Sequence, residues 1–264
     1  MDGASWFDGD EPIVGVVTDG ADAEAPSETD VRNAIDAAAI DRPVSIETGS
    51  VESVLSAAPS LLVAIGESGV IDVARAAPDV PVLPLGSVSG LESIDAMDLP
   101  DALATLVAGD ASVRQRPLLA VGDPDAGRTD RERALFDVTL VTEEPARISE
   151  FGVESRGDHV ARFRADGVVV ATPAGSHGYA SAVDAPHISP AVEAVAVAPI
   201  APFTTTTRRW ILPESDLEIG VERDEGDVRL LADDRTVGIV SPGERVSITA
   251  DGSLATIVLP ESRL

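Results

Sequence analysis

The chain has 264 residues, enough for one large domain or two modest ones and for a sizeable core. Its formal charge is −27, with 46 acidic side chains against 19 basic ones, all Arg, a balance that does not supply the basic face duplex nucleic acid requires, although a local basic patch stays open. Cys is absent, so there are no disulfides, thiolate metal sites or cysteine nucleophile, and the longest apolar run, near residues 192–202, is broken by Glu193, Pro199 and Pro202 before it could span a membrane.

Residues 1–11, with Asp2, Asp8, Asp10 and Glu11 among small residues, are expected to form a disordered leader without the pattern of a signal peptide. Ile13 to Val17 is a continuous apolar run of strand length, as a strand covered on both faces requires. Val31, Ala34, Ile35 and Ala38 give an apolar stripe at helical spacing, with Ser27 or Thr29 as its cap. Val44 to Ile46 reads as a short strand, Val51 to Leu55 as a short helix, Leu61 to Ile65 as a buried strand and Val70 to Ala77 as a helix. Strands alternating with helices predict an open, parallel α/β domain over residues 12–110. Gly66-Glu67-Ser68-Gly69 falls at the carboxyl end of a strand, where ligands bind in such sheets. A glycine-rich turn with no further role is the plain alternative.

After a helix at 98–108, Gly109 to Ser112 marks a boundary and the texture turns to β. Short strands at Pro117–Val121, Asp137–Thr142, Ile148–Val153, Val160–Phe163, Val168–Ala171, Val192–Val197, Trp210–Leu212, Leu217–Val221, Val228–Leu231, Thr236–Val240 and Val246–Ile248 predict an all-β sandwich over residues 111–250. Asp123 to Arg133 reads as a hairpin tip, and the segment 251–264, with Ala255 to Leu259, as a return towards the first domain.

Residues 166–181 carry the densest local signal. Asp166-Gly167 reads as a tight hairpin turn, because that dipeptide tolerates positive φ, and it feeds the strand Val168 to Val170. Thr172-Pro173-Ala174-Gly175-Ser176 is then a loop of small and hydroxylated residues, and Tyr179 to Ala182 a first helical turn. Such a junction is expected to offer unpaired N–H groups to an anion or a ribose edge; an ordinary strand-to-helix connection is the competing reading. Ser176 has no nucleophile elbow, no Lys-bearing phosphate loop is present, and no His and carboxylate spacing describes a metal cage. His159 and His187 read as surface and loop residues. His177 could stack on adenine or, once protonated, hold a phosphate.

The run from Asp166-Gly167 to Thr172-Pro173-Ala174-Gly175-Ser176-His177-Gly178-Tyr179 resembles the Asp-Gly…Thr-Pro-Thr-Gly-Ser-Thr-Ala-Tyr signature of the NAD kinase family. Pro199-Ile200-Ala201-Pro202-Phe203-Thr204, Arg208 and Leu212-Pro213 resemble that family's Pro-Ile-x-Pro-His-(Thr/Ser)…Arg-Pro-x-x-x-Pro segment, in the same order and at matching distance. The resemblance covers most of residues 61–250. It implies an α/β domain followed by a β-sandwich, and ATP-dependent phosphorylation of the adenosine ribose 2′-hydroxyl of NAD to give NADP. The implied ligands are ATP with Mg²⁺ and NAD, and the implied state is a homodimer or homotetramer; a cytoplasmic location is expected from the broken apolar run and the lack of a signal pattern. The lysine-free acidic composition also resembles that of halophile proteins.

The resemblance assigns roles residue by residue. The family's Gly-Gly-Asp-Gly corresponds to Gly66, Glu67, Ser68 and Gly69, so Ser68 stands at the Asp that acts as base and Glu67 is the carboxylate that would replace it. Gly86 stands for an Asn in Pro-Val-Leu-Gly-Ile-Asn. Phe136 stands for the Asn that grips the adenosine side, whereas Asp137 keeps the acid that binds a ribose diol. With these, Asp166, Thr172, Gly175, Ser176, His177 and Tyr179 complete the expected nucleotide-binding set. The departures at Ser68 and Phe136 keep two other readings open: a catalytically silent NAD(P) or adenine-nucleotide binder with a sensing or regulatory role, and a phosphotransferase with a different acceptor.

Overall fold

A computed structural model describes residues 12–18, 28–37, 44–122, 131–143, 148–204, 206, 208–223, 227–260 and 262–263 of the chain. The expected leader and most of the hairpin tip at 123–133 lie outside the described residues. The chain divides into two compact units, one from Met1–Arg116 with Ser253–Leu264 and the other from Pro117–Gly252.

The first unit is built on β1 (Ile13–Val17), β2 (Ser45–Gly49), β3 (Leu61–Ile65) and β4 (Val82–Leu85), with α1 (Glu28–Ala37), α2 (Val51–Ser56), α3 (Gly66–Ala76) and α4 (Leu99–Ala108). The strands lie in the order β2-β1-β3-β4 and pair in parallel, Val14 opposite both Ile46 and Leu61, and Ile65 opposite Leu85. Apolar residues fill β3 without alternation because both of its faces are covered. Leu61, Val63 and Ile65 pack with Val31 and Ile35 of α1 and Leu99, Leu103 and Leu106 of α4, while Leu62 and Ala64 are equally buried. Each leucine so buried contributes about 2 kcal/mol to the collapse. The chain leaves β1 towards β2 on one side and returns to β3 on the other, so the direction of winding reverses between β1 and β3. The open crevice of such a sheet lies beyond the carboxyl ends of those two strands. The end of β16 (Arg245–Val258) adds to the far side of β4, with Thr256 opposite Val82.

The second unit is a β-sandwich. One layer holds the start of β16 with β13 (Leu217–Arg223), β8 (Ser149–Ser155) and β9 (Asp158–Ala165), all antiparallel. The other runs β12 (Trp210–Pro213), β11 (Ala194–Ile200), β10 (Gly167–Ala171), β7 (Asp137–Thr142), β14 (Val228–Ala232) and β15 (Arg235–Val240). β6 (Glu132–Ala134) pairs with the end of β5 (Ser112–Gly122). Inward residues of both layers form one core around Phe151, whose ring lies 6.2 Å from that of Phe163, itself stacked 5.7 Å from Trp210. β10 is buried on its outer face too. Val168 and Val170 enter the sandwich core, whereas Val169 and Ala171 are covered by Ala180, Ala185 and Ile188 from the segment that follows.

Two local expectations are corrected. Asp166-Gly167 is not a hairpin turn, and neither residue has positive φ. It is where the chain passes from β9 in one layer to β10 in the other, and Gly167 is needed because a Cβ there would lie 2.5 Å from the carbonyl oxygen of Leu140 on β7. The tight turn is Arg156-Gly157, both at positive φ, between the paired strands β8 and β9. Residues 66–69 are also not a turn ahead of a helix at Val70. α3 starts at Gly66, directly off the last residue of β3.

Candidate functional site

In the first unit the strand-to-helix junction is abrupt because Gly66 adopts φ +68°, a left-handed angle at which a side chain would be strained. Among the described residues no side chain caps the start of α3, and Glu67 supplies an acidic side chain to its first turn. Glu67 is exposed, Ser68 half-buried and Gly69 buried, its Cα turned to the end of β1 so that a Cβ would sit 3.6 Å from the carbonyl oxygen of Val17. Gly86, one residue past β4, has φ +91° and donates its N–H to Ile94 O at 2.8 Å. The Gly-Glu-Ser-Gly sequence therefore caps β3 beside the winding reversal, with the exposed Glu67 carboxylate in the first turn of α3.

In the second unit the expected residues fall on three consecutive pieces of backbone. The loop after β10 closes on itself: Gly175 N–H donates to Thr172 Oγ1 at 3.1 Å, Ser176 N–H to Thr172 O at 2.9 Å, His177 N–H to Ala174 O and Gly178 N–H to Gly175 O. The amides of residues 175–178 are thus taken within the loop itself. Its hydroxyls also point inward. Thr172 Oγ1 donates to Leu135 O at 2.7 Å, and Ser176 Oγ donates to Pro173 O at 2.7 Å while accepting from Ile188 N–H at 3.1 Å. Both residues are buried and shape the loop, leaving half-buried His177 and exposed Tyr179 as its accessible side chains.

That loop rests on residues 135–137. Thr172 N–H donates to Phe136 O at 2.9 Å, and Gly175 lies flat on the same peptide. Asp137 is buried and accepts from Thr139 Oγ1 at 2.9 Å. Asp166 is half-buried, with its N–H donating to Ile200 O and its carbonyl accepting from Thr142 N–H, so its backbone ties β7 to β11. His177 meets His187 edge-on, with ring centroids 4.6 Å apart and planes at 82°. Burial and then the neighbouring His187 hold His177 below the usual imidazole pKa, so it is neutral at neutral pH. The second motif lines a separate groove of about 470 Å³ in which Phe203, Thr204 and Arg208 face Arg162, Arg164 and Trp210, with the Arg164 guanidinium 5.7 Å from the Phe203 ring centre.

Sequence reasoning missed two participants. His187 pairs with His177 although ten residues separate them. Asp233, in the β14–β15 turn, accepts the N–H groups of Leu135, Phe136 and Asp137 at 2.9, 2.8 and 3.0 Å. The only local sign of the latter was an Asp-Asp pair between two strands. Gly66, Glu67, Ser68, Gly69 and Gly86 belong to the first unit, and the remaining expected residues to the second.

Residues 135–258 match the model of the ATP-NAD kinase C-terminal domain. The chain is 31% identical over 195 residues to an NAD kinase of Geotalea daltonii, covering 71% of this chain and 69% of that protein. It is 33% identical over 156 residues to an NAD kinase of Gemmatimonas aurantiaca, covering 58% of this chain and spanning only 54% of that relative's length. Its fold is similar to that of a solved NAD kinase from Archaeoglobus fulgidus in complex with ATP, with a TM-score of 0.74, 20% identity and 92% of each chain covered.

Proposed function

Since the chain belongs to the NAD kinase family, we propose that it transfers the γ-phosphoryl group of ATP to the 2′-hydroxyl of the adenosine ribose of NAD, giving NADP and ADP. The observation that carries this reading is Glu67, an exposed carboxylate in the first turn of α3, immediately past β3 and beside the winding reversal of a parallel sheet. In the proposed step the bond between the γ-phosphorus and the β,γ-bridging oxygen breaks. A bond from that phosphorus to the ribose 2′-oxygen forms, and the hydroxyl proton passes to the Glu67 carboxylate. A hydroxyl at Ser68 could not take that proton at neutral pH, so the carboxylate one position earlier assumes the role.

The second unit would recognise the nucleotide. Asp137 offers a carboxylate held by Thr139 for a ribose diol, and His177 and Tyr179 offer rings for an adenine face. Phe136 brings an apolar ring to a position where the family uses an amide, so base and ribose contacts there rest on packing. Among the described residues no group of three or more His or acidic side chains is arranged to hold a metal. Mg²⁺ enters the reading as part of the ATP complex, neutralising the phosphates it binds.

The test is NADP formation from ATP and NAD by the purified chain in molar KCl, read by an NADP-specific dehydrogenase. An NAD analogue lacking the adenosine 2′-hydroxyl should give no product. NAD binding without NADP formation would replace the reading with that of a silent nucleotide-binding relative, and phosphorylation of another polyol with that of an altered acceptor.

A further inference from the structure

Residues 135–137 are held from two sides. On one, Asp233 Oδ2 accepts from Leu135 N–H and Oδ1 from both Phe136 and Asp137 N–H, while Asp233 N–H returns a bond to Asp137 O at 2.9 Å. On the other, Leu135 O accepts from Thr172 Oγ1 and Phe136 O from Thr172 N–H. One segment thus carries both Asp137 and the loop that ends in His177, and its three successive amides converge on a single carboxylate some hundred residues away in the chain. Asp233 sits at φ +52°, a conformation that Asp and Asn tolerate better than other side chains, at the two-residue tip where Ala232 pairs with Arg235.

We infer that Asp233 is a positioning residue for nucleotide recognition, fixing the 135–137 backbone so that the Asp137 carboxylate and the Thr172–His177 loop keep one geometry. A carboxylate is required rather than a polar group of the same shape. Two anionic oxygens satisfy three donors, whereas an amide has one acceptor oxygen and would set its NH₂ against a donor. With the fork lost, buried amides of the segment must find new partners, and the peptide under Thr172 and Gly175 turns to find them. The inference rests on the proposed nucleotide-binding role of Asp137 and the loop.

The experiment measures NAD affinity by calorimetry, which does not depend on turnover, in wild type, Asp233→Asn, Asp234→Asn and Thr172→Val, each at a temperature where circular dichroism shows it fully folded. Asp233→Asn should weaken NAD binding on the order of tenfold. Thr172→Val, which loosens the same segment from its other side, should weaken it in the same direction. Asp234→Asn, at the same hairpin tip, should leave it within about twofold. If Asp233→Asn does not fold, Asp233→Ser, which keeps one acceptor oxygen at the same hairpin tip, takes its place with the same expected loss. An Asp233→Asn protein that melts earlier yet binds NAD as wild type does overturns the inference, because the carboxylate is then only structural. A wild type that binds NAD without phosphorylating it defeats the kinase reading alone, and one that binds no NAD defeats both.

Discussion

Gly175 lies directly on the peptide of Phe136: a Cβ at residue 175 would overlap the Phe136 carbonyl oxygen and come within 2.9 Å of its Cα. No neighbour can yield there, because the obstructing atoms are backbone, fixed in turn by Thr172 and Asp233. The approach presses the loop after β10 onto the start of β7. Gly175→Ala should therefore lower stability by about 1–3 kcal/mol and weaken NAD binding. Thermal melting with a binding titration checks both, and a variant with unaltered melting and binding would show that the peptide can move aside.

Ser68 stands half-buried one residue beyond Glu67 in the first turn of α3. An acidic side chain there faces the positive end of the helix, so Ser68→Asp should cost no stability and can add up to about 1 kcal/mol. It should also raise phosphoryl transfer by supplying a base at the position the family uses. Steady-state rates of the two proteins decide, and unchanged slow turnover would locate the limitation in the nucleotide pocket around Phe136.

His177 and His187 make stability depend on pH. Burial and His187 lower the His177 pKa in the folded chain, so the unfolded chain takes up its proton first as pH falls. Stability from the neutral pair is complete above about pH 6.5, the ordinary imidazole value. It is lost as pH drops from there through the lowered folded value. Denaturant midpoints at pH 7.5 and 5.5 should fall further for wild type than for His177→Gln. Parallel losses would mean that the pair does not resist protonation.

A charge of −27 repels itself across the surface, and several Arg side chains are already engaged in clusters such as Arg245 with Glu154 and Glu218, and Arg162 with Glu150 and Glu222. Raising ionic strength from 0.1 M to 1 M shortens the screening length from about 10 Å to about 3 Å. The melting temperature should accordingly rise with KCl over that range. A melting temperature that falls as salt is added would show that the ion pairs outweigh the repulsion.

The strands were readable where burial alone dictates composition. Leu61 to Ile65 and Val168 to Ala171 are covered on both faces and so are apolar without a break. The alternation of strands and helices up to α4 likewise predicted a parallel sheet. Misreadings arose where a distant partner decides the local conformation. Asp166-Gly167 has the composition of a hairpin, but β9 and β10 pair with different neighbours, so the dipeptide is drawn between layers. The start of α3 carries no capping Ser, Thr or Asn to announce it, because a glycine at positive φ makes the junction. In the loop at 172–178, carbonyls of the loop and the Thr172 hydroxyl take the amides of residues 175–178, a closure that its small residues do not announce. Asp233 had no local signal that its carboxylate reaches residues 135–137, since that contact exists only once β14 lies beside β7.

The central claim is that Glu67 accepts the ribose proton during phosphoryl transfer to NAD. Transfer of radiolabelled γ-phosphate from ATP to NAD, followed in molar KCl with wild type and Glu67→Gln proteins of equal melting temperature, tests it most directly. The account predicts labelled NADP from wild type and a rate lower by about 10²-fold or more in the variant. Labelled NADP formed equally fast by both proteins, or none from wild type that binds NAD, would contradict it.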